Sequence, residues 1–156
     1  MDEPGIVHNT FVVERALAKP PAKVFEAFAD PAKKRRWYAE SRGHDVMRYE
    51  LDFRVGGREM LDVRMNDKTP FPGVALAYDM EIADIIPDRR IVFSQSMDFA
   101  GKRVSVALIT IEILPSGGGA TLVCTHQAAF FEGADGPQIR EQGWRALLDR
   151  MAESLG

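Results

Sequence analysis

This chain of 156 residues is predicted to fold as an α+β helix-grip: a curved antiparallel sheet of about seven strands wrapped around one long C-terminal helix. Three observations predict it. From residue 44 onward, apolar residues recur with period two through six segments separated by short turns rich in Gly, Pro and Asp. That pattern marks half-buried strands joined as antiparallel neighbours. The chain then ends, after Pro137, in a stretch with Ile139, Gly143, Trp144, Leu147, Leu148, Met151 and Leu155 at helical spacing. Finally, a sheet of this many strands twists and curls, so its inner face needs a cover. The C-terminal helix is the available one.

Residues 10–18 are rich in β-formers and read as the first strand, with Phe11, Val13, Arg15 and Leu17 on one face. Lys19-Pro20-Pro21 stops it, and Pro21 suits the first turn of a short helix carrying Val24, Phe25 and Phe28. Asp30 caps a second short helix that opens on Pro31 and carries Lys33, Lys34, Arg35 and Arg36 before Trp37-Tyr38. This basic run reads as a solvated face.

The period then switches to two. Residues 44–55 place Met47, Tyr49, Leu51, Phe53 and Val55 on one face and His44, Arg48, Glu50, Asp52 and Arg54 on the other. Gly56-Gly57 turns the chain into a strand at 58–66, and residues 66–73 form a loop. Strand 74–86 aligns Val74, Leu76, Tyr78, Met80 and Ile82; strand 90–99 aligns Ile91, Phe93, Gln95, Met97 and Phe99. Strands at 103–114 and 120–130 follow, divided by the turn Ser116 to Gly119. In the last, His126 shares a face with Leu122, Cys124, Ala128 and Phe130; which face points inward is open. Asp52, Glu59, Asp62, Asp79 and Glu81 read as the solvated outer face. No repeat or linker divides the chain, so a single domain over 1–156 is expected.

Composition excludes several functions. The net charge is -3, whereas a general nucleic-acid binder needs a basic surface. No apolar run reaches the ~20 residues that cross a bilayer. The opening Met1-Asp2-Glu3-Pro4-Gly5 lacks the basic and apolar regions of a secretory leader, so a cytoplasmic location is expected. The one cysteine, Cys124, permits no intrachain disulfide and reads as a small buried hydrophobe. His8, His44 and His126 have no paired spacing of the HExxH kind, so neither a metal nor a cofactor is expected. The glycine pairs lie in hairpins, not between a strand and a helix, and make no phosphate loop.

The stretch Glu14 to Pro31, followed by Arg36-Trp37, resembles the opening of the START-like (Bet v 1-like, SRPBCC) superfamily. Within it the chain is most similar to the group named after the C-terminal domain of the activator of Hsp90 ATPase. Asp52-Phe53-Arg54-Val55-Gly56-Gly57, Ile86-Pro87-Asp88-Arg89-Arg90-Ile91-Val92-Phe93 and Gly143-Trp144 with Leu147-Leu148 resemble that group's further motifs. The resemblance implies a helix-grip fold with a central cavity. It also implies a range of roles, since members include lipid and hormone carriers, aromatic polyketide cyclases and chaperone activators, and a fold hosts many functions. A homodimer is plausible for the group. Nothing here corresponds to the activator's additional N-terminal domain, which weakens an Hsp90 partner.

The expected function is therefore to hold a hydrophobic or amphiphilic small molecule between sheet and helix. Candidate ligand contacts are Arg15, Trp37, Phe53, Tyr78, Met80, Phe93, Met97, His126, Trp144 and Leu148. The apolar ones read equally well as core packing, and only empty volume separates the two. Arg15 is in phase with inward residues and needs an acid such as Glu112, a ligand carboxylate, or an exit to water. A cyclase or dehydratase would need little more than a shaped pocket with one positioned acid or base. Arg15, Tyr78 and His126 are the groups for that alternative.

Overall fold

A computed structural model describes residues 5–156; residues 1–4, where no secretory leader is expected, lie outside the described residues. Strand β1 (Val7–Leu17) leads into α1 (Pro21–Ala29) and α2 (Pro31–Lys34). A wide π-helical turn over Arg35–Ala39 extends α2. Then come β2 (His44–Leu51), β3 (Arg58–Met65), β4 (Ala75–Ile86), β5 (Arg90–Phe99), β6 (Lys102–Ser116) and β7 (Gly119–Phe130), and the chain ends in α3 (Pro137–Ser154). The seven strands form one antiparallel curved sheet in the order β1-β7-β6-β5-β4-β3-β2. Consecutive hairpins build β2 to β7, and β1 returns to pair with β7, Val13 opposite Cys124.

Local chemistry explains the starts. Pro21 and Pro31 each occupy a first helical turn, and Asp30 Oδ1 accepts from the Ala32 N–H (2.9 Å) and the Lys33 N–H (3.3 Å). The hairpin between β5 and β6 turns at Ala100 (φ 52°) and Gly101 (φ 82°), the paired positive values of a tight primed turn.

The inner face is apolar and buried along the expected phases. Phe11, Val13 and Leu17 of β1, Ile109, Ile111 and Ile113 of β6, and Leu122, Cys124 and Phe130 of β7 form its floor. Burial pushes the Cys124 thiol up to about 12, so it stays an unreactive thiol. From the opposite side α3 lowers Arg140, Trp144, Leu148 and Met151 onto this face. Among the described residues no helix is long and apolar enough to cross a membrane.

Several expectations fail, each for a local reason: Lys34, expected on a solvated basic face, is buried against Glu59, and Val55, expected inward, lies beyond the end of β2 and is exposed. A bulge between Val46 and Arg48 reverses the phase of β2, so Met47 is exposed while Val46 and His44 turn inward. Glu59, expected on the outer face, is buried. It shares the phase of Leu61 and Val63, and a cation meets it there.

Candidate functional site

A cavity of about 300 Å³ separates the sheet from α3. Leu61, Tyr78, Gln95 and Met97 form its sheet wall. The π-helical turn supplies Tyr38, and the segment after it Ser41 and His44. Helix α3 contributes Ile139, Arg140, Trp144 and Leu147, with Gly143 at the mouth. The π-helical turn is the device that presents this side of the cavity. Its wider loop, closed by the Glu40 N–H on the Arg35 carbonyl (3.0 Å), buries Trp37, Tyr38 and Ala39 in succession. The Ala39 carbonyl then accepts from His44 Nε2 at 2.6 Å, which assigns that nitrogen the proton.

Polar groups cluster at two places. Near the start of α3, the Arg140 guanidinium is 7% exposed. Asp135 grips it side-on, through Nε to Oδ2 and Nη2 to Oδ1, each 2.8 Å. Nη2 also donates to Ser105 Oγ (2.9 Å) and lies 3.0 Å from Met97 Sδ, while the cation sits 5.0 Å from the Phe130 ring centre. Its Nη1 is buried with no partner.

The second cluster lies beneath Tyr38. Lys34 Nζ donates to Glu59 Oε1 at 2.6 Å, and the two side chains are 6% and 3% exposed. Tyr49 OH donates to the other carboxylate oxygen at 2.6 Å. Rings surround the ammonium, Tyr38 at 4.7 Å and Phe93 at 5.4 Å from their centres. Burial, reinforced by the Glu59 charge, pushes the Tyr38 and Tyr49 hydroxyls well above the usual phenol range, so both stay protonated. Tyr38 OH accepts from Gln95 Nε2 (3.1 Å) and lies 3.4 Å from Met80 Sδ, which ties this cluster to the cavity wall.

The ten expected contact residues divide by position. Tyr78, Met97 and Trp144 line the cavity. Met80 is buried behind Tyr38 and Gln95. His126 faces inward from β7 with 0% exposure, its ring stacked on Phe11 at 4.5 Å and 6.3 Å from Trp144. Both of its nitrogens lack partners. Burial, helped by the Arg140 cation, pushes it down to about 4, so the ring is neutral near pH 7. Trp37 is core: its Nε1 donates to the Ala27 carbonyl (2.9 Å) and its ring packs edge-on against Phe28. Phe93 and Leu148 are buried in the core, and half-buried Phe53 meets Phe25 edge-on.

Arg15 reaches Asp149 of α3 at 2.7 Å and not Glu112, which is exposed. The pair is solvated on the Asp149 side, so Arg15→Ala is expected to lower stability by no more than about 1 kcal/mol. A denaturant melt checks this. Of the groups weighed for a cyclase or dehydratase, Arg15 is therefore engaged at the edge of α3, Tyr78 lines the cavity, and His126 stands behind Trp144 without a hydrogen bond.

Arg140, Asp135, Tyr38, Gln95 and the Lys34–Glu59 pair were not singled out in the sequence. A signal existed for some. Arg140 lies four residues before Trp144 and eight before Leu148, so it shares their stripe. A separate surface groove of about 460 Å³ between α1, α2 and the end of α3 carries Lys19, Lys23, Lys33 and Arg36. There Lys33 pairs with Glu26 at 2.6 Å, and both stay largely solvated. Among the described residues no cluster of three or more His, Cys, Asp or Glu could hold a metal ion.

A bent sheet gripping a C-terminal helix, with a cleft between them, defines a helix-grip protein. The family model described as "Activator of Hsp90 ATPase homolog 1-like protein" matches residues 18–156, and the chain belongs to that family. It is similar to the solved structure of Mll3558 from Rhizobium loti, with 40% identity, TM-score 0.85, and 96% of this chain and 98% of that one covered. It is also similar to an uncharacterised protein from Rhizobium leguminosarum, with 35% identity, TM-score 0.89, and 96% and 95% covered. The AHSA1-like protein of Aeromonas hydrophila, at 20% identity, TM-score 0.70, and 94% and 92% covered, shares the fold. No curated protein matches the chain.

Proposed function

We propose that the protein binds a compact hydrophobic or amphiphilic molecule in the cavity between the sheet and α3. The supporting observation is the cavity itself, about 300 Å³, with an apolar lining of Leu61, Met97, Trp144 and Leu147 and polar groups from Tyr38, Tyr78, Gln95, Arg140 and Arg150. This is the low end of the size, and the usual composition, of small-molecule pockets. The cavity is partly open to solvent, so a guest has a way in.

Gly143 supports the same reading. It lines the mouth, and a Cβ there would meet nothing within 4 Å. A mid-helix glycine costs about 1 kcal/mol relative to alanine, and no close approach of backbone requires it. Gly143→Ala is expected to raise the melting temperature by about 2 °C and leave ligand response intact. Gly143→Leu, with a side chain over the mouth, is expected to lose the response.

The test is a thermal-shift screen of apolar and amphiphilic compounds on the native protein and both variants. A ligand at about 100 times its Kd adds about 2.7 kcal/mol and raises the melting temperature by several degrees. A native melt unmoved by any bicyclic or larger apolar compound would sink the proposal.

A further inference from the structure

Resting on the ligand-binding reading above, we propose that Arg150 is the headgroup anchor of the guest. The cavity takes a compact ring body that carries a carboxylate, and the carboxylate pairs with Arg150 at the rim.

The charges on the lining point to an anion. Its Asp and Arg side chains are Asp135, Arg140 and Arg150. Asp135 grips Arg140 side-on, so those two cancel. Arg150 is left over. Among the described residues it enters no ion pair, and its protein hydrogen bond is a long one, 3.5 Å from Nη2 to the Arg36 carbonyl. Surface arginines elsewhere in the chain meet a carboxylate, as Arg90 meets Asp84 and Arg103 meets Asp98. Exposed Glu153, three residues further along α3, lies near the same rim but does not pair with Arg150.

Position supplies the second argument. Gly143, Ala146, Leu147 and Arg150 all line the cavity, and their i, i+3, i+4, i+7 spacing sets them along one stripe of α3. Arg150 ends that stripe, about 10 Å beyond Gly143 along the helix axis. Arg150 and Ser41 also line a surface depression with Arg42 and Glu153, so they stand where the cavity meets solvent. A guest can therefore lay its rings between Trp144 and Leu147 on the helix and Leu61 and Met97 on the sheet, and leave its head at the half-buried Arg150 without sealing a charge inside. A planar, singly charged carboxylate matches the parallel N–H donors along one edge of a guanidinium. Ser41, whose Oγ accepts from the Gly43 N–H (3.2 Å), keeps its O–H as a further donor on that rim.

2-Naphthylacetate, 2-naphthylacetamide and 2-(2-naphthyl)ethylamine share one ring system and differ in the charge of the head. By isothermal titration at low salt, the native protein is expected to bind the carboxylate at least tenfold more tightly than the neutral amide, and the ammonium more weakly than the amide. Arg150→Gln is expected to bring the carboxylate down to the amide's affinity and leave the amide unchanged. The substitution gives up only the long contact to the Arg36 carbonyl, so the melting temperature should stay native. Arg145→Gln removes the same charge from α3 outside the cavity, where Arg145 pairs with Glu141, and is expected to keep the native preference. Equal affinity of the native protein for carboxylate and amide overturns the anchor and leaves the cavity proposal standing. So does a preference that survives Arg150→Gln, or one that Arg145→Gln abolishes to the same degree. Binding of none of the three compounds overturns both.

Discussion

Lys34→Met is expected to destabilise the protein by about 3–5 kcal/mol, lowering the melting temperature on the order of 10 °C for a chain of this size. Lys34 and Glu59 are both almost fully enclosed and meet at 2.6 Å. Removing the ammonium strands a carboxylate under Tyr38 with one remaining donor, Tyr49 OH. The reverse change is expected to cost less. In Glu59→Gln the amide oxygen still accepts from Lys34 or Tyr49, and the rings of Tyr38 and Phe93 still face the cation. The double variant Lys34→Met, Glu59→Gln leaves no buried charge and is expected to recover most of the loss, because an apolar replacement of a whole buried pair is often neutral. Urea melts of all three variants measure the coupling. Additive single-variant losses in the double variant would show that the pair does not act as a unit.

The pair also shows where a sequence stops being legible. The sheet could be read because period-two alternation is a direct imprint of one-sided burial. Glu59 is two residues before Leu61 and four before Val63 and so shares their inward phase, yet as a carboxylate it reads with Asp52, Asp62, Asp79 and Glu81 as outer face. Single-residue polarity fails as a guide when the compensating cation comes from another element, here α2. Lys34 sat within a basic run, and only the π-helical turn that follows shows that it points inward while Lys33 and Arg36 stay on the surface. The extra residue in that turn, like the bulge at Val46, shifts phase without any mark in the hydrophobic pattern.

The cavity was legible in part for a similar reason. Tyr78, Met97 and Trp144 followed from facing phases, but Trp37, Phe53, Phe93 and Leu148 satisfy the same pattern and are packed elsewhere. Sequence identifies an inward face; only tertiary packing decides which inward residues meet a void. Arg15 and Arg140 are both arginines in apolar stripes. Their fates differ because Asp149 meets one at the edge of α3, while Asp135 holds the other inside.

His126 should make the protein lose stability as the pH falls from about 6.5 to about 4. The ring is fully buried on Phe11, with no acceptor or donor for either nitrogen. Burial first, and the Arg140 cation second, push it down from its usual 6.5 to about 4. The charged and titratable groups acting on it are Arg140 of α3, which opposes protonation, and Asp135, which partly offsets that. Cys124, two residues away on β7, is neutral throughout the window. Between the two values the unfolded chain binds a proton that the folded protein refuses. The stabilising contribution is therefore complete above about 6.5, declines with falling pH, and levels off below about 4. Its full size is about 3 kcal/mol. His126→Phe keeps the stack on Phe11 and removes the titration. Any overpacking by the larger ring shifts its stability by an amount independent of pH, so the difference between native and variant isolates the histidine from the acid titration of carboxylates. Unfolding free energies measured from pH 7.5 to 4 should show the native protein losing about 3 kcal/mol more than the variant across that range. Parallel curves would mean that the buried ring is protonated in the folded state, and with it that Arg140 and the apolar shell do not set its charge.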